Sequence, residues 1–272
     1  MTIIQSIILG IVQGLTEFLP ISSSGHLVIV PFLLQWDIPP YEAFVFDVLV
    51  QVATLIAVLG FFWKDYYVIL RGVIRGLRRK RPFETQPARL GWYILLASVP
   101  AGIAGLLLKD TVERAFANPM MTSFALFGTA ILLVIAEIVG KRQRILEELT
   151  WLDALIIGFY QILALFPGLS RSGATIAGGM TRDLDRPTAA RFSFLMAVPI
   201  MLAAGMAATL DLLAIPNLGT ILPVFIPGFI AAAVVGYLAI GWLLSFLTRY
   251  SLYYFAAYCS IAGLIVLLVV VL

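Results

Sequence analysis

Apolar and polar positions in this chain fall in long blocks, not in short alternating steps. Apolar runs cover roughly 2–19, 25–36, 43–63, 90–108, 120–140, 152–166, 172–180, 189–213, 221–244 and 251–272. Most approach the ~20 residues that a helix needs to cross a bilayer core. None alternates with the period of two that marks a membrane β-strand. The pattern predicts an all-α polytopic membrane protein. Four runs are short or broken: 2–19, 25–36, 152–166 and 172–180. They form two pairs, each interrupted by Pro, Gly and Ser. Segments of about 10–14 apolar residues favour re-entrant or buried placement over spanning, so two broken helix pairs are expected.

The two interruptions resemble each other. Gly10 to Gly25, "GIVQGLTEFLPISSSG", aligns without a gap to Gly158 to Gly173, "GFYQILALFPGLSRSG", at an offset of 148 residues. Gly10/Gly158, Gln13/Gln161, Phe18/Phe166, Ser22/Ser170, Ser24/Ser172 and Gly25/Gly173 are identical pairs, and the same offset pairs Phe44 and Phe46 with Phe192 and Phe194. Apolar similarity alone does not bring Gln, Ser, Ser and Gly into register. The reading is an internal duplication of 1–140 and 150–272 within a single integral-membrane domain.

Charge then sets orientation. The connection from Lys64 to Arg89 carries eight basic residues, including "RRKR" at Arg78 to Arg81. The positive-inside rule assigns it to the cytoplasm. Threading outward and back from there leaves Asp37 to Glu42 and Asp110 to Pro119 outside, with the C-terminus. Fifteen of the 18 basic residues then lie inside, Lys109 and Arg114 lie outside, and Arg171 falls in the second break. This threading requires the two breaks to enter from opposite faces. The expected architecture is an inverted-topology repeat, with two broken, re-entrant helix pairs meeting at mid-membrane and walling a polar cavity.

Composition agrees with this class. The chain is 61% hydrophobic and 12% charged, whereas soluble domains carry about 25% charged residues. The first apolar run lacks a basic n-region and a small-residue cleavage site, so it is expected to be kept. Cys259, the one cysteine, reads as a small core residue. The basic run Arg71 to Arg81 reads as an anchor at anionic headgroups, and a nucleic-acid partner is not expected.

The breaks concentrate the candidate chemistry. "EFLPISSSGH" holds Glu17, Ser22, Ser23, Ser24 and His26, the single histidine of the chain; "LFPGLSRSGAT" holds Ser170, Arg171, Ser172 and Thr175. Arginine, hydroxyls and restarting helix N-termini together describe a phosphate or diphosphate site. Glutamate and histidine add the means to move a proton or to hold a divalent cation. Plainer roles stand beside these. The serines can satisfy freed backbone groups, His26 can be a structural histidine, and Glu17 and Arg171 can simply pair. Charges at membrane depth cost several kcal/mol, on the order of 3 by insertion scales, and mark function by default. Asp47 and Asp211 lie in or near apolar runs with no assigned role, and Glu137 is expected to snorkel from a helix end.

"LGIVQGLTEFLPISSSGH" together with "FPGLSRSGAT" resembles the undecaprenyl-diphosphate phosphatases of the bacitracin-resistance type. The likeness extends over the chain, including "FSFLMAVP" at Phe192 to Pro199. It implies hydrolysis of undecaprenyl diphosphate to the monophosphate at the bacterial inner (plasma) membrane. That recycles the lipid carrier of cell-wall synthesis and confers bacitracin resistance, with the active site opening to the outer face. It implies a divalent cation, Mg²⁺ or Ca²⁺, and active-site roles for Glu17, Ser23, His26, Ser170, Arg171 and Thr175. The family's first motif often has Glu where this chain has Gln13. Glu17 is the expected metal ligand, with Gln13 orienting it. Arg171 is the expected phosphate clamp, helped by Ser22, Ser24, Ser170, Ser172 and Thr175. The nucleophile is either His26 or Ser23, and homo-oligomer formation stays open. The rival function is a lipid-phosphate transporter or flippase, since inverted repeats with broken helices are common there. The type-2 phosphatidic acid phosphatase mechanism uses two histidines and is excluded by the single His26.

Overall fold

The computed structural model describes residues 1–108, 119–213 and 218–271. Lys109, Asp110 and Arg114, and the connection that contains them, expected outside, lie beyond the described residues. The described residues form eleven helices. They are α1 (Ile3–Phe18), α2 (Ser23–Leu33), α3 (Pro40–Phe61), α4 (Trp63–Arg78), α5 (Gln86–Leu107), α6 (Pro119–Val139), α7 (Trp151–Leu163), α8 (Arg171–Thr181), α9 (Arg186–Leu213), α10 (Leu218–Leu247) and α11 (Tyr253–Val271). Six of them, α3, α5, α6, α9, α10 and α11, contain a stretch long and apolar enough to cross a membrane. The chain is an all-α polytopic membrane protein, as the block pattern predicts.

The short helices of the two breaks are α1, α2, α7 and α8. At about 1.5 Å per residue, the 16 residues of α1 and the 13 of α7 fall short of a bilayer core of about 30 Å. Their starts are capped alike. The hydroxyl of Thr2 accepts from Gln5 N and Gln5 answers Thr2 N; Thr150 and Asp153 do the same on α7. Ser22 caps α2 by accepting from Gly25 N at 3.2 Å, and Ser170 caps α8 by accepting from Gly173 N at 3.0 Å. Each cap thus satisfies a helix-end N–H that would otherwise be orphaned. Thr2/Thr150, Ser22/Ser170 and the ends of α2 and α8 are all separated by 148 residues.

Small residues let the short helices lie close on long ones. A Cβ on Gly10 of α1 would stand 2.1 Å from the Gly228 carbonyl oxygen of α10, and one on Gly158 of α7 would stand 2.5 Å from the Ala97 carbonyl oxygen of α5. The core between the halves is aromatic. Phe18 and Phe194 meet edge to face at 5.5 Å, and Phe62 lies against the same Phe194 ring.

Ion pairs gather the basic stretches at one end. Glu137, at the end of α6, is buried and does not snorkel. It accepts from Arg142, from Arg186 and from the N–H of Leu252 at the head of α11. Asp153 is equally buried and accepts from Arg144 and Arg182. Arg191 donates to Asp65 of α4. Residues 141–144, 182–191 and the start of α4 therefore share one end, and α7 begins there. The amine of Met1 instead meets Glu42 of α3, so α1 begins at the opposite end of α3. The connection after α3 also differs from a plain loop. Much of 64–89 is α4, which packs on α5, with Gly72 against Ala88 and Gly91 against Val73.

Candidate active site

The tips of the two broken pairs touch. A Cβ on Gly25 would stand 3.2 Å from Cα of Gly168. Gly168 itself has φ +92, and a Cβ there would stand 2.6 Å from the Thr122 carbonyl oxygen. Only glycine fits this turn, both by conformation and by space. The Thr129 hydroxyl donates to the Gly168 carbonyl and accepts from Ser170 N, at 3.1 and 3.0 Å. The break before α8 is thus tied to α6.

Between the tips lies a cavity of about 230 Å³, lined by Glu17, Ser22, Ser23, Ser24, Gln51, Ser170 and Arg171 among others. Its centre is the Glu17 carboxylate. Oε2 accepts from Ser23 Oγ at 2.6 Å and from Gln13 Nε2 at 3.0 Å. Oε1 accepts from Arg171 Nη2 at 3.0 Å. The side chains of Glu17 and Arg171 are only 10% and 15% exposed, so this pair stands in a weakly screening setting. Ser23 and Arg171 are the first residues of α2 and α8, and the free N–H groups of those helix starts add positive potential.

Four polar atoms are buried without a partner among the described residues: Gln13 Oε1, Arg171 Nη1 and both amide atoms of Gln161. Buried polar atoms are rarely left unpaired in native proteins. Two of these orphans, Gln13 Oε1 and Arg171 Nη1, belong to side chains that already hold Glu17. An acceptor-rich ligand or a cation beside them would complete the set.

The other expected residues are placed differently. Ser172 and Thr175 are fully buried and do not line the cavity. Ser172 Oγ donates to the Leu19 carbonyl at 3.0 Å, across the two breaks. Thr175 Oγ1 reaches the Arg171 carbonyl at 2.8 Å and shares a hydrogen bond with Ser193 Oγ at 2.6 Å. His26 does not line the cavity and has its hydrogen bonds elsewhere. Its Nδ1 stands 2.7 Å from the Ser22 carbonyl and its Nε2 stands 2.7 Å from the Tyr258 hydroxyl. A carbonyl only accepts, so Nδ1 carries the proton, and a neutral ring then accepts from Tyr258 at Nε2. Asp47 sits on α3 one turn before Gln51, and Asp211 lies outside the residues whose side chains are described.

Gln51 and Tyr258 are not among the residues singled out from the sequence. Gln51 is a polar residue inside a long apolar run, which is a usable signal. Gln161 is visible as the 148-residue counterpart of Gln13, but not as a buried amide without partners. Tyr258 is 232 residues from His26, and nothing local marks it.

Comparison with known proteins identifies the family. The family model described as "Bacitracin resistance protein BacA" matches residues 6–265. A protein of Thermomicrobium roseum named undecaprenyl-diphosphatase is 43% identical over 279 residues, covering 99% of each chain. Proteins of the same name from Chlorobium phaeovibrioides and Moorella thermoacetica are each 43% identical, covering 98% of this chain and 97% of their own. With a family model over nearly its full length and relatives at this identity, the chain belongs to the BacA family.

Proposed function

We propose that the protein is an integral-membrane phosphatase that hydrolyses undecaprenyl diphosphate to undecaprenyl phosphate and inorganic phosphate. The observation that carries this reading is the contact set of Ser23, Glu17 and Arg171 at the meeting of the two breaks. The names of the relatives support the substrate. Arg171, with Nη1 free of any acceptor among the described residues, clamps the terminal phosphate. The starts of α2 and α8, with Ser22, Ser24 and Ser170, complete its cradle.

Ser23 Oγ is the nucleophile best supported by geometry. It attacks the terminal phosphorus and passes its proton to Glu17 Oε2, 2.6 Å away. The bond from that phosphorus to the bridging oxygen breaks, and undecaprenyl phosphate leaves with the proton from Glu17. Water then attacks the phosphoserine and gives its proton to Glu17. The P–Oγ bond breaks, inorganic phosphate leaves, and Ser23 Oγ recovers the proton from Glu17. His26 is a positioning residue in this scheme, because it holds the Ser22 carbonyl at the turn that aims Ser23.

The donor set fits a divalent cation. No group of three or more His, Cys, Asp or Glu gathers among the described residues. Mg²⁺, however, keeps several waters and phosphate oxygens and needs only one or two protein ligands. Glu17 and Gln13 Oε1 would hold it. Mg²⁺ or Ca²⁺ bound there would neutralise charge on the diphosphate.

The same reading includes the bacterial inner membrane, an inverted repeat of 1–140 and 150–272, a cavity opening outward, recycling of the cell-wall lipid carrier and bacitracin resistance. Support for the repeat comes from the matching caps at an offset of 148 and from the opposite starting ends of α1 and α7. A second reading, movement of lipid phosphate between faces, is favoured by the same meeting of broken pairs.

Phosphate release by purified protein tests the reading. Wild type releases phosphate from undecaprenyl diphosphate, whereas a transporter releases none. Ser23→Ala is expected to lose at least about a hundredfold in kcat. His26→Ala is expected to lose less, with partial recovery in His26→Asn, whose amide can still donate to Ser22. Substantial turnover in Ser23→Ala, with none in His26→Ala, would transfer the nucleophile's role to His26.

A further inference from the structure

The face of α4 away from α5 carries Arg71, Arg75 and Arg78 at helical spacing, with Arg79 at its cap. These four line a groove of about 620 Å³, together with Tyr67, Leu70 and Ile74. Elsewhere Arg142, Arg144, Arg171, Arg182, Arg186 and Arg191 each hold a carboxylate. None of the four groove guanidiniums meets a carboxylate among the described residues. Like charges one turn apart on a helix repel, so a stripe of this kind is relieved by an anion. The helix cannot turn to find one within the protein. Ile69 and Gly76 are buried, and Tyr66 Oη donates to the Leu195 carbonyl at 2.8 Å.

The groove is also apolar in a specific way. Tyr67, Leu70 and Ile74 inside it are exposed, as are Trp63, Val68 and Leu77 on the rest of the helix. A free anion would leave this surface in water. A phosphate with acyl chains attached would cover it, and aromatic residues of this kind favour the headgroup level. We propose that the α4 groove binds the phosphate headgroup of an anionic phospholipid, with Arg71, Arg75, Arg78 and Arg79 around the phosphate and the acyl chains along Leu70 and Ile74. The site is separate from the Glu17 cavity and does not depend on what is hydrolysed there. It lies on the helix joining α3 to α5, whose start is tied through Asp65 to Arg191.

The test is native mass spectrometry of delipidated protein in neutral detergent, titrated with phosphatidylglycerol, phosphatidylcholine or inorganic phosphate. Wild type should retain phosphatidylglycerol in preference to phosphatidylcholine, and equal concentrations of inorganic phosphate should not displace it. Arg75→Gln with Arg78→Gln should weaken phosphatidylglycerol binding about thirtyfold, given the contribution of each basic residue near a lipid surface. Lys141→Gln with Arg249→Gln removes the same charge elsewhere and should not weaken it. Thermal unfolding checks that the variants fold, and Arg75→Lys with Arg78→Lys, which keeps the charge, should keep most of the binding. Equal affinity in the glutamine pair and wild type would overturn the proposal. So would equal retention of phosphatidylcholine, and displacement by phosphate would reassign the groove to a free anion.

Discussion

Arg171 engages Glu17 through Nη2 and keeps Nη1 buried without an acceptor among the described residues. A guanidinium can hold two partners at once in a fixed plane; an ammonium is a point charge. Arg171→Lys is therefore expected to lose most phosphate release, although the net charge of the cavity is unchanged. Near-normal turnover by that variant would remove the two-pronged clamp from the mechanism. Ser172 and Thr175 show the limit of reading residue types alone. Both stand in the motif as hydroxyls that could meet phosphate, and both are spent on the framework, Ser172 on Leu19 and Thr175 on Arg171 and Ser193. Spacing along the chain reveals that a hydroxyl lies near a helix start. It does not reveal which way that hydroxyl turns once another segment arrives beside it.

At the scale of elements, the close crossings of α1 on α10 and α7 on α5 rest on glycine. Gly158→Ala would press a methyl group against the Ala97 backbone at 2.5 Å, and overpacking of this kind costs about 1–3 kcal/mol. Gly60, on α3, has nothing within 4 Å of the place a methyl group would occupy. Thermal unfolding in detergent should thus fall for Gly158→Ala and not for Gly60→Ala; an equal response would mean that the crossing is looser than its geometry. Breaks, caps and long helices are legible in the sequence because each depends on neighbours within a few positions. The helix α4 reads as a connection because its density of arginine masks a regular pattern, with Ile69, Gly72 and Gly76 on the packed face. The anchoring of Glu137 is not legible either. Its partners Arg186 and Leu252 lie 49 and 115 residues away, and only the folded chain brings them to one carboxylate.

For the whole molecule, α1 and α7 start at opposite ends, and the proposed inverted repeat then assigns each broken pair to its own face. With Cys259→Ala as background, Asp37→Cys is expected to react with a membrane-impermeant thiol reagent in intact cells, and Arg79→Cys and Lys141→Cys are not. Labelling of Arg79→Cys from outside would reverse the orientation. The site itself is legible in outline, since Glu17, Ser23 and Arg171 stand in two related motifs. Pairing of Glu17 with Arg171 is one role the sequence leaves open; the hydrogen bond itself, across 154 residues, is seen only in the folded chain. That separation bears on how the molecule is made. A chain grows from its N-terminus, so the first half is complete long before Arg171 exists. During that interval Glu17 has no guanidinium to answer it, and a charge left unpaired among apolar groups is costly. The arrival of the second half supplies the missing partner and the missing wall together. On the proposed reading, completion of biogenesis and creation of the reactive centre are then one event, and a molecule with a misrouted second half carries a penalty instead of a catalyst.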